Sequence, residues 1–267
     1  MSFVKKLANK LKSPSDQPTD PSAEGPPPIP PRPRPPPPPP SQHTALLSDG
    51  TKQAAGQLQT YGCSTKSCSM KWQATGVLQE GCWLQDQQCC FERQGWTITH
   101  GGPGEHVDQK GRQRTELLSW PPAPAGESWV YKWRYHLSPS CLSGSKFFHL
   151  TQVLSREQGG FVVALGLVNG KIKISSIFPP PPGEELPSIP VEQYWGRTTF
   201  HRCAVVWGPG GSIDYQIKDA VTNEPLLAYK ISGVNVPAQG SIKTGLYRAV
   251  AFGPAAAVVG DFDLFKN

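Results

Sequence analysis

Between residues 128 and 265 the chain alternates apolar and polar side chains in one short run after another. The runs are SWVYKWRYHL (128–137), KFFHLTQVL (146–154), GFVVALGLV (160–168), KIKISSI (171–177), TTFHRCAVVW (198–207), SIDYQIK (212–218), LLAYKIS (226–232), SIKTGLYRAV (241–250) and AAVVGDFDLF (256–265). A period of two sends successive side chains to opposite faces of a strand, and no run carries the longer spacing of an amphipathic helix. The connectors carry hairpin chemistry: Asn169-Gly170 is a two-residue turn signal, GPGG (208–211) a second turn and DAVTNEP (219–225) a longer loop. PPPPGEELPSIP (179–190) reads as an interior loop that cannot continue a strand. Many short strands and no internal repeat predict an antiparallel sandwich or barrel.

The first part of the chain has a different texture. Of the 30 prolines, 15 fall within the first 40 residues. Residues 13–54 read as a disordered linker, because GPPPIPPRPRPPPPPP offers too few backbone donors for helix or sheet and populates polyproline II. Pro27, Pro30 and Arg32 form P-x-x-P-x-R, a ligand pattern for Src-homology, WW or profilin-type proline-reading domains. A semi-rigid spacer is the competing reading. Residues 3–12 fit a short basic amphipathic helix with Phe3, Leu7 and Leu11 on one side. Such a helix makes at most weak contact with an anionic membrane surface.

The net charge is +6, half of it in the tail, and the strand-rich part has no dense Lys/Arg run. A mild positive field suits an anionic ligand and does not point to nucleic acid. Seven cysteines, five of them between Cys63 and Cys90, match no common zinc spacing. The lysines of MSFVKKLANKLK interrupt the apolar run that a signal peptide needs. The expectation is a cytoplasmic protein with reduced thiols.

Alternation assigns faces. Trp129, Tyr131, Trp133, Tyr135 and Leu137 share one side of their strand, and Lys132, Arg134 and His136 the other. Lys243, Gly245 and Tyr247 share a face opposite Ile242, Leu246 and Val250. A glycine there opens room for something to approach the backbone. Each polar face is either a ligand groove or the wet side of a sheet. In RQRTELLSW, Arg114 and Glu116 lie on one face, as an ion pair or as a carboxylate-binding arginine held by the glutamate.

In order, R-T-E-L (114–117), FFHLTQV (147–153) and K-x-G-x-Y (243–247) resemble the motif strands of the jelly-roll alginate-lyase and glucuronan-lyase group. The stretch from KFFHLTQVLS to GDFDLF is also similar to fungal proteins with a concanavalin A-like jelly roll. The resemblance covers roughly residues 90–267 and implies a concanavalin A-like β-jelly roll, with the domain placed at 55–267, and β-elimination on an acidic, uronate-containing polysaccharide. It further implies that Arg114 and Gln152 neutralise the uronate carboxylate, that Tyr247 is base and acid, and that Lys243 binds a neighbouring sugar. Glu116, Lys132, Arg134, His136 and His149 join Lys243 as substrate-binding candidates. The chain departs from the group at one place: where the group has Q-I-H, it reads Gln152-Val153-Leu154. His149 is close in sequence but lies on the wrong face of an ideal strand, so a bulge is needed to bring it to Gln152.

Other ionisable residues are weaker candidates. His100 and His106 lie in HGGPGEHVDQKG, read as a flexible solvated loop without a third metal ligand. His201 and Cys203 share a face with no nucleophile pattern around them and read as core. No metal or cofactor is expected. The competing reading of the whole chain is a lectin-like or scaffold module without catalysis, whose proline-rich tail docks proline-reading domains.

Overall fold

The computed structural model describes residues 45–58, 68–82, 84, 91–249 and 253–267. The period-two runs pair into two eight-stranded sheets. The first sheet runs β1 (Leu46–Asp49), β4 (Val77–Glu80), β5 (Gly95–His100), β16 (Ala255–Lys266), β7 (Ser128–Leu137), β12 (Thr198–Val206), β13 (Gly208–Asp219) and β14 (Pro225–Val236). The second runs β11 (Ser188–Pro190), β10 (Lys171–Ser176), β9 (Gly160–Val168), β8 (Phe148–Ser155), β15 (Gly240–Ala249), β6 (Arg112–Trp120), β3 (Ser69–Ala74) and β2 (Ala54–Leu58). Neighbouring strands are antiparallel, and the fold is an all-β two-sheet antiparallel sandwich, as expected from the sequence.

Three sequence expectations change. β1 lies inside the stretch assigned to the linker and pairs with β4, so the sheet begins before residue 55. The 179–190 segment does end in a strand: β11 pairs with Lys171–Lys173 at the sheet edge, where a proline costs no internal hydrogen bond. Cys68 and Cys82 are disulfide-bonded, against the expectation of reduced thiols, whereas Cys141 and Cys203 are free and buried. The basic helix over 3–12 and the Pro27, Pro30, Arg32 pattern lie outside the described residues.

Aromatic side chains of β7 fill the space between the sheets. Trp133 and Tyr135 are fully buried in one core cluster with Trp207, Tyr215, Phe148 and Phe262, and the Trp133 ring lies 5.9 Å from that of Tyr215. His201 and Cys203 are core, as expected. The His201 ring contacts the Tyr215 hydroxyl at 2.8 Å and the Thr199 hydroxyl at 2.9 Å.

β8 breaks register at Leu150. Against β15, Thr151 pairs with Thr244 and His149 with Tyr247; against β9, Thr151 pairs with Leu165 and His149 with Gly166. Leu150 and Thr151 therefore both turn inward, and His149 and Gln152 both face out. Opposite the break sits Gly245, at φ 145°, whose carbonyl accepts a 2.8 Å hydrogen bond from the Tyr135 hydroxyl of the other sheet. A Cβ on Gly245 would stand 2.2 Å from the Thr115 carbonyl oxygen. The glycine's room is taken by β6 backbone, not by a ligand.

Two predictions follow from this packing. Gly245→Ala combines a forbidden φ with a backbone clash and should cost about 3 kcal/mol or more in chemical denaturation. Tyr135→Phe leaves a buried carbonyl unpaired and should cost about 1–3 kcal/mol; stability unchanged in both variants would contradict this account. The second concerns pH. Burial pushes His100, with help from Arg248, and His201 from 6.5 down to about 3. Both stay neutral in the fold and take protons only on unfolding. Their contribution is whole above pH 6.5 and is lost as pH falls toward 3, at about 1.4 kcal/mol per pH unit for each. Unfolding free energy measured from neutrality down to about pH 5 should drop by roughly 3–4 kcal/mol, before the carboxylates titrate.

Candidate functional site

β6, β15 and β8 lie side by side in the second sheet, and their registers align the outer-face side chains in rows. Arg114, Tyr247 and His149 form one row; Glu116 and Gly245 form the next; Leu118, Lys243 and Gln152 form the third. The register break in β8 is the bulge the sequence required, and it brings His149 onto the face of Gln152. Leu154 shares that face and pairs with Ser241.

Glu116, 2% exposed, is the hub. Its Oε2 lies 2.8 Å from Lys243 Nζ and 3.5 Å from Arg114 Nε, and its Oε1 accepts a 2.8 Å hydrogen bond from Gln152 Nε2. A buried carboxylate is tolerable only with such partners. The terminal nitrogens of Arg114 have no hydrogen-bond partner among the described residues, and its guanidinium carbon lies 4.1 Å from the Tyr247 ring centroid. A cleft of about 340 Å³ opens beside this group, lined by Lys71, Gln73, Arg114, Glu116, Leu118 and Lys243.

Tyr247 is held by a residue the sequence reading missed. Arg112 Nη1 donates to the Tyr247 hydroxyl at 2.7 Å. A guanidinium can only donate, so the phenol oxygen accepts there and its own proton points elsewhere. Arg112 is fixed by Asp108, whose Oδ2 accepts from Nε at 3.0 Å and Nη2 at 2.8 Å. Against the burial that pushes it up, hydrogen bonds from the Arg112 side chain and backbone hold the Asp108 carboxyl below its ordinary range. Arg112 stands two residues before Arg114 on the same face, so the period of two carries a signal for it; nothing local signals Asp108.

The His149 ring packs against Phe147 and Phe161, each at 5.3 Å, and edge-on to Tyr247 at 5.9 Å between centroids. Burial pushes His149 below the ordinary imidazole range, with Glu116 pulling the other way. It is therefore a neutral imidazole at neutral pH.

The loop expected to be flexible is pinned. Gln113 Nε2 donates to the carbonyls of Gly101 (3.1 Å), Gly102 (3.2 Å) and Glu105 (2.8 Å), and His106 Nδ1 accepts from the Gly101 N–H at 3.0 Å. The loop's work is to carry Asp108 to Arg112.

Lys132, Arg134 and His136 are not in this site. They lie on β7, in the first sheet. Lys132 pairs with Asp263 at 3.6 Å, and Arg134 pairs with Glu92 and, at 3.7 Å, with Asp261. His136 is fully buried, 3.3 Å from the Thr198 hydroxyl. Alternation correctly set them opposite the core side chains of β7, but it carries no information about which sheet a strand joins.

No protein-family model matches the sequence, and no curated protein matches it either. Among solved structures, an endo-β-1,4-glucuronan lyase from the fungus Trichoderma reesei is similar at 10% identity and TM-score 0.47, over 82% of this chain and 89% of that one. An alginate lyase from Corynebacterium sp. is similar at 13% identity and TM-score 0.48, over 65% and 77%. A family 7 alginate lyase in complex with a product is similar at 11% identity and TM-score 0.47, over 65% and 80%.

Proposed function

We propose that the chain binds an acidic, uronate-containing polysaccharide on the outer face of the second sheet and cleaves it by β-elimination. The observation that carries this reading is the convergence on one face of Arg114, Gln152, Lys243, Tyr247 and His149, with Arg112 donating to the Tyr247 hydroxyl. Arg114, with its terminal nitrogens unpaired among the described residues, receives the uronate carboxylate beside the Gln152 amide and offsets the charge that builds up as the C5 proton leaves. Tyr247 takes that proton as C4=C5 forms, and a phenol proton passes to the O4 oxygen as the C4–O bond breaks. Arg112, fixed by Asp108, stands against the phenol oxygen where negative charge develops. Lys243 binds the neighbouring sugar, and Glu116 orients Arg114, Lys243 and Gln152.

The competing reading is a lectin-like module that keeps the groove and does not turn over. Leu154 is the observation that favours it, because it puts an alkyl side chain where the resembling group has an imidazole. The disulfide-bonded Cys68 and Cys82 support an oxidising compartment as the working location, where such polymers are met.

The deciding measurement is the ultraviolet absorbance of the unsaturated uronate product, with full-length protein on alginate, glucuronan and heparin-type polymers. Activity should vanish in Tyr247→Phe. In Arg112→Ala, kcat should fall by about 10²-fold with KM nearly unchanged, whereas Lys243→Ala should mainly raise KM. Binding of these polymers without product on any of them would favour the lectin-like reading.

A further inference from the structure

At the end of β6 remote from Arg114, two cations sit on one indole. Lys71 Nζ lies 3.3 Å from the Trp120 ring centroid, and the guanidinium carbon of Arg156 lies 4.9 Å from it. Trp120 is on the outer face, in the β6 series of Arg114, Glu116 and Leu118, and Lys71 belongs to the row of Leu118 and Lys243. Arg156 follows directly on β8 and reaches across with Nη1 3.4 Å from the Ser241 hydroxyl. Lys71 also lines the cleft that runs to Arg114 and Lys243.

The charges here differ from those nearer Tyr247. Arg112 has Asp108, while Arg114 and Lys243 share Glu116. Among the described residues neither Lys71 nor Arg156 meets a carboxylate; each has an aromatic face in its place. A cation over an indole is held more weakly than one in a buried ion pair, and it leaves donors free. Two like charges brought to one ring, both without a counter-ion, are relieved by an anion between them.

We infer that Lys71, Trp120 and Arg156 form a second anion subsite of the groove, which takes the carboxylate of a uronate unit distant from the one at Arg114. The inference rests on the reading of the groove as a uronate-polymer site. Trp120 is six residues along the strand from Arg114, roughly 20 Å at the usual rise. One chain reaches both positions only if it is several sugars long. The subsite therefore selects for polymer length and for charge at a distance, and it takes no part in the chemistry.

The test is calorimetric binding of size-fractionated oligouronates, from dimer to octamer, to full-length protein carrying Tyr247→Phe so that no ligand is consumed. Affinity should rise by about tenfold or more between the dimer and the longest oligomers. Adding Lys71→Gln and Arg156→Gln should remove that rise and leave dimer affinity unchanged, with the thermal midpoint as a check on folding. Tryptophan emission should change with the octamer and not with the dimer, and the change should disappear in Trp120→Phe. Length dependence that survives the double substitution, or that neutral oligosaccharides of the same size reproduce, would overturn the subsite alone. Absence of binding by any oligouronate would overturn the groove reading and the subsite with it.

Discussion

The hydrogen bond from the Tyr135 hydroxyl to the Gly245 carbonyl ties the core of one sheet to the irregularity of the other, and the site depends on it. Tyr135 is fully buried, and burial keeps its hydroxyl protonated far above neutral pH, so it is a fixed donor. The carbonyl it receives lies opposite the register break of β8, where regular pairing with β15 lapses between Thr244 and Tyr247. A buried carbonyl without a partner would be expensive. With that partner supplied from across the core, the strand can slip its phase and set His149 and Gln152 on one face.

The electrostatics of the groove show a matching economy. One buried carboxylate, Glu116, holds two cations and an amide from three strands. Its geometry leaves Arg114 with terminal nitrogens to offer, while Lys243 and Gln152 are already oriented. Side chains fixed before a ligand arrives lose little rotamer freedom when it binds. The Asp108–Arg112 pair does the same for the Tyr247 hydroxyl from the loop side, and Gln113 supports it by tying down the loop's carbonyls.

Much of this was legible in the sequence. Strand limits from residue 128 onward follow the alternation closely, because a half-buried strand advertises its faces. That Arg114 shares a face with Glu116, and Lys243 with Tyr247, was legible for the same reason, whereas the adjacency of their two strands rested on the motif resemblance. Sheet membership was not: Lys132 and Arg134 alternate as cleanly as Lys243 and Tyr247, and only pairing of β7 with β12 and β16 removes them from the groove. Loop order was hidden too, since it comes from Gln113, a residue outside the glycine-rich segment it restrains. The disulfides at Cys68 and Cys82 likewise depend on proximity that spacing does not encode.

The exchange of an imidazole for Leu154 looks different once β8 is seen in place. Leu154 pairs with Ser241, beyond Gln152 on the side of Trp120, whereas His149 pairs with Tyr247 itself. The ring at 149 is walled by Phe147 and Phe161, and burial holds it neutral, so it faces the tyrosine as a polar group without charge. A cation there would add a third like charge beside the Arg112 and Arg114 guanidiniums already at the tyrosine ring; a neutral imidazole does not. Phe147 also packs on the Tyr247 ring, at 4.9 Å between centroids, so the tyrosine and the imidazole share one aromatic neighbour. Register, not residue identity at one motif position, thus decides which polar ring the tyrosine meets.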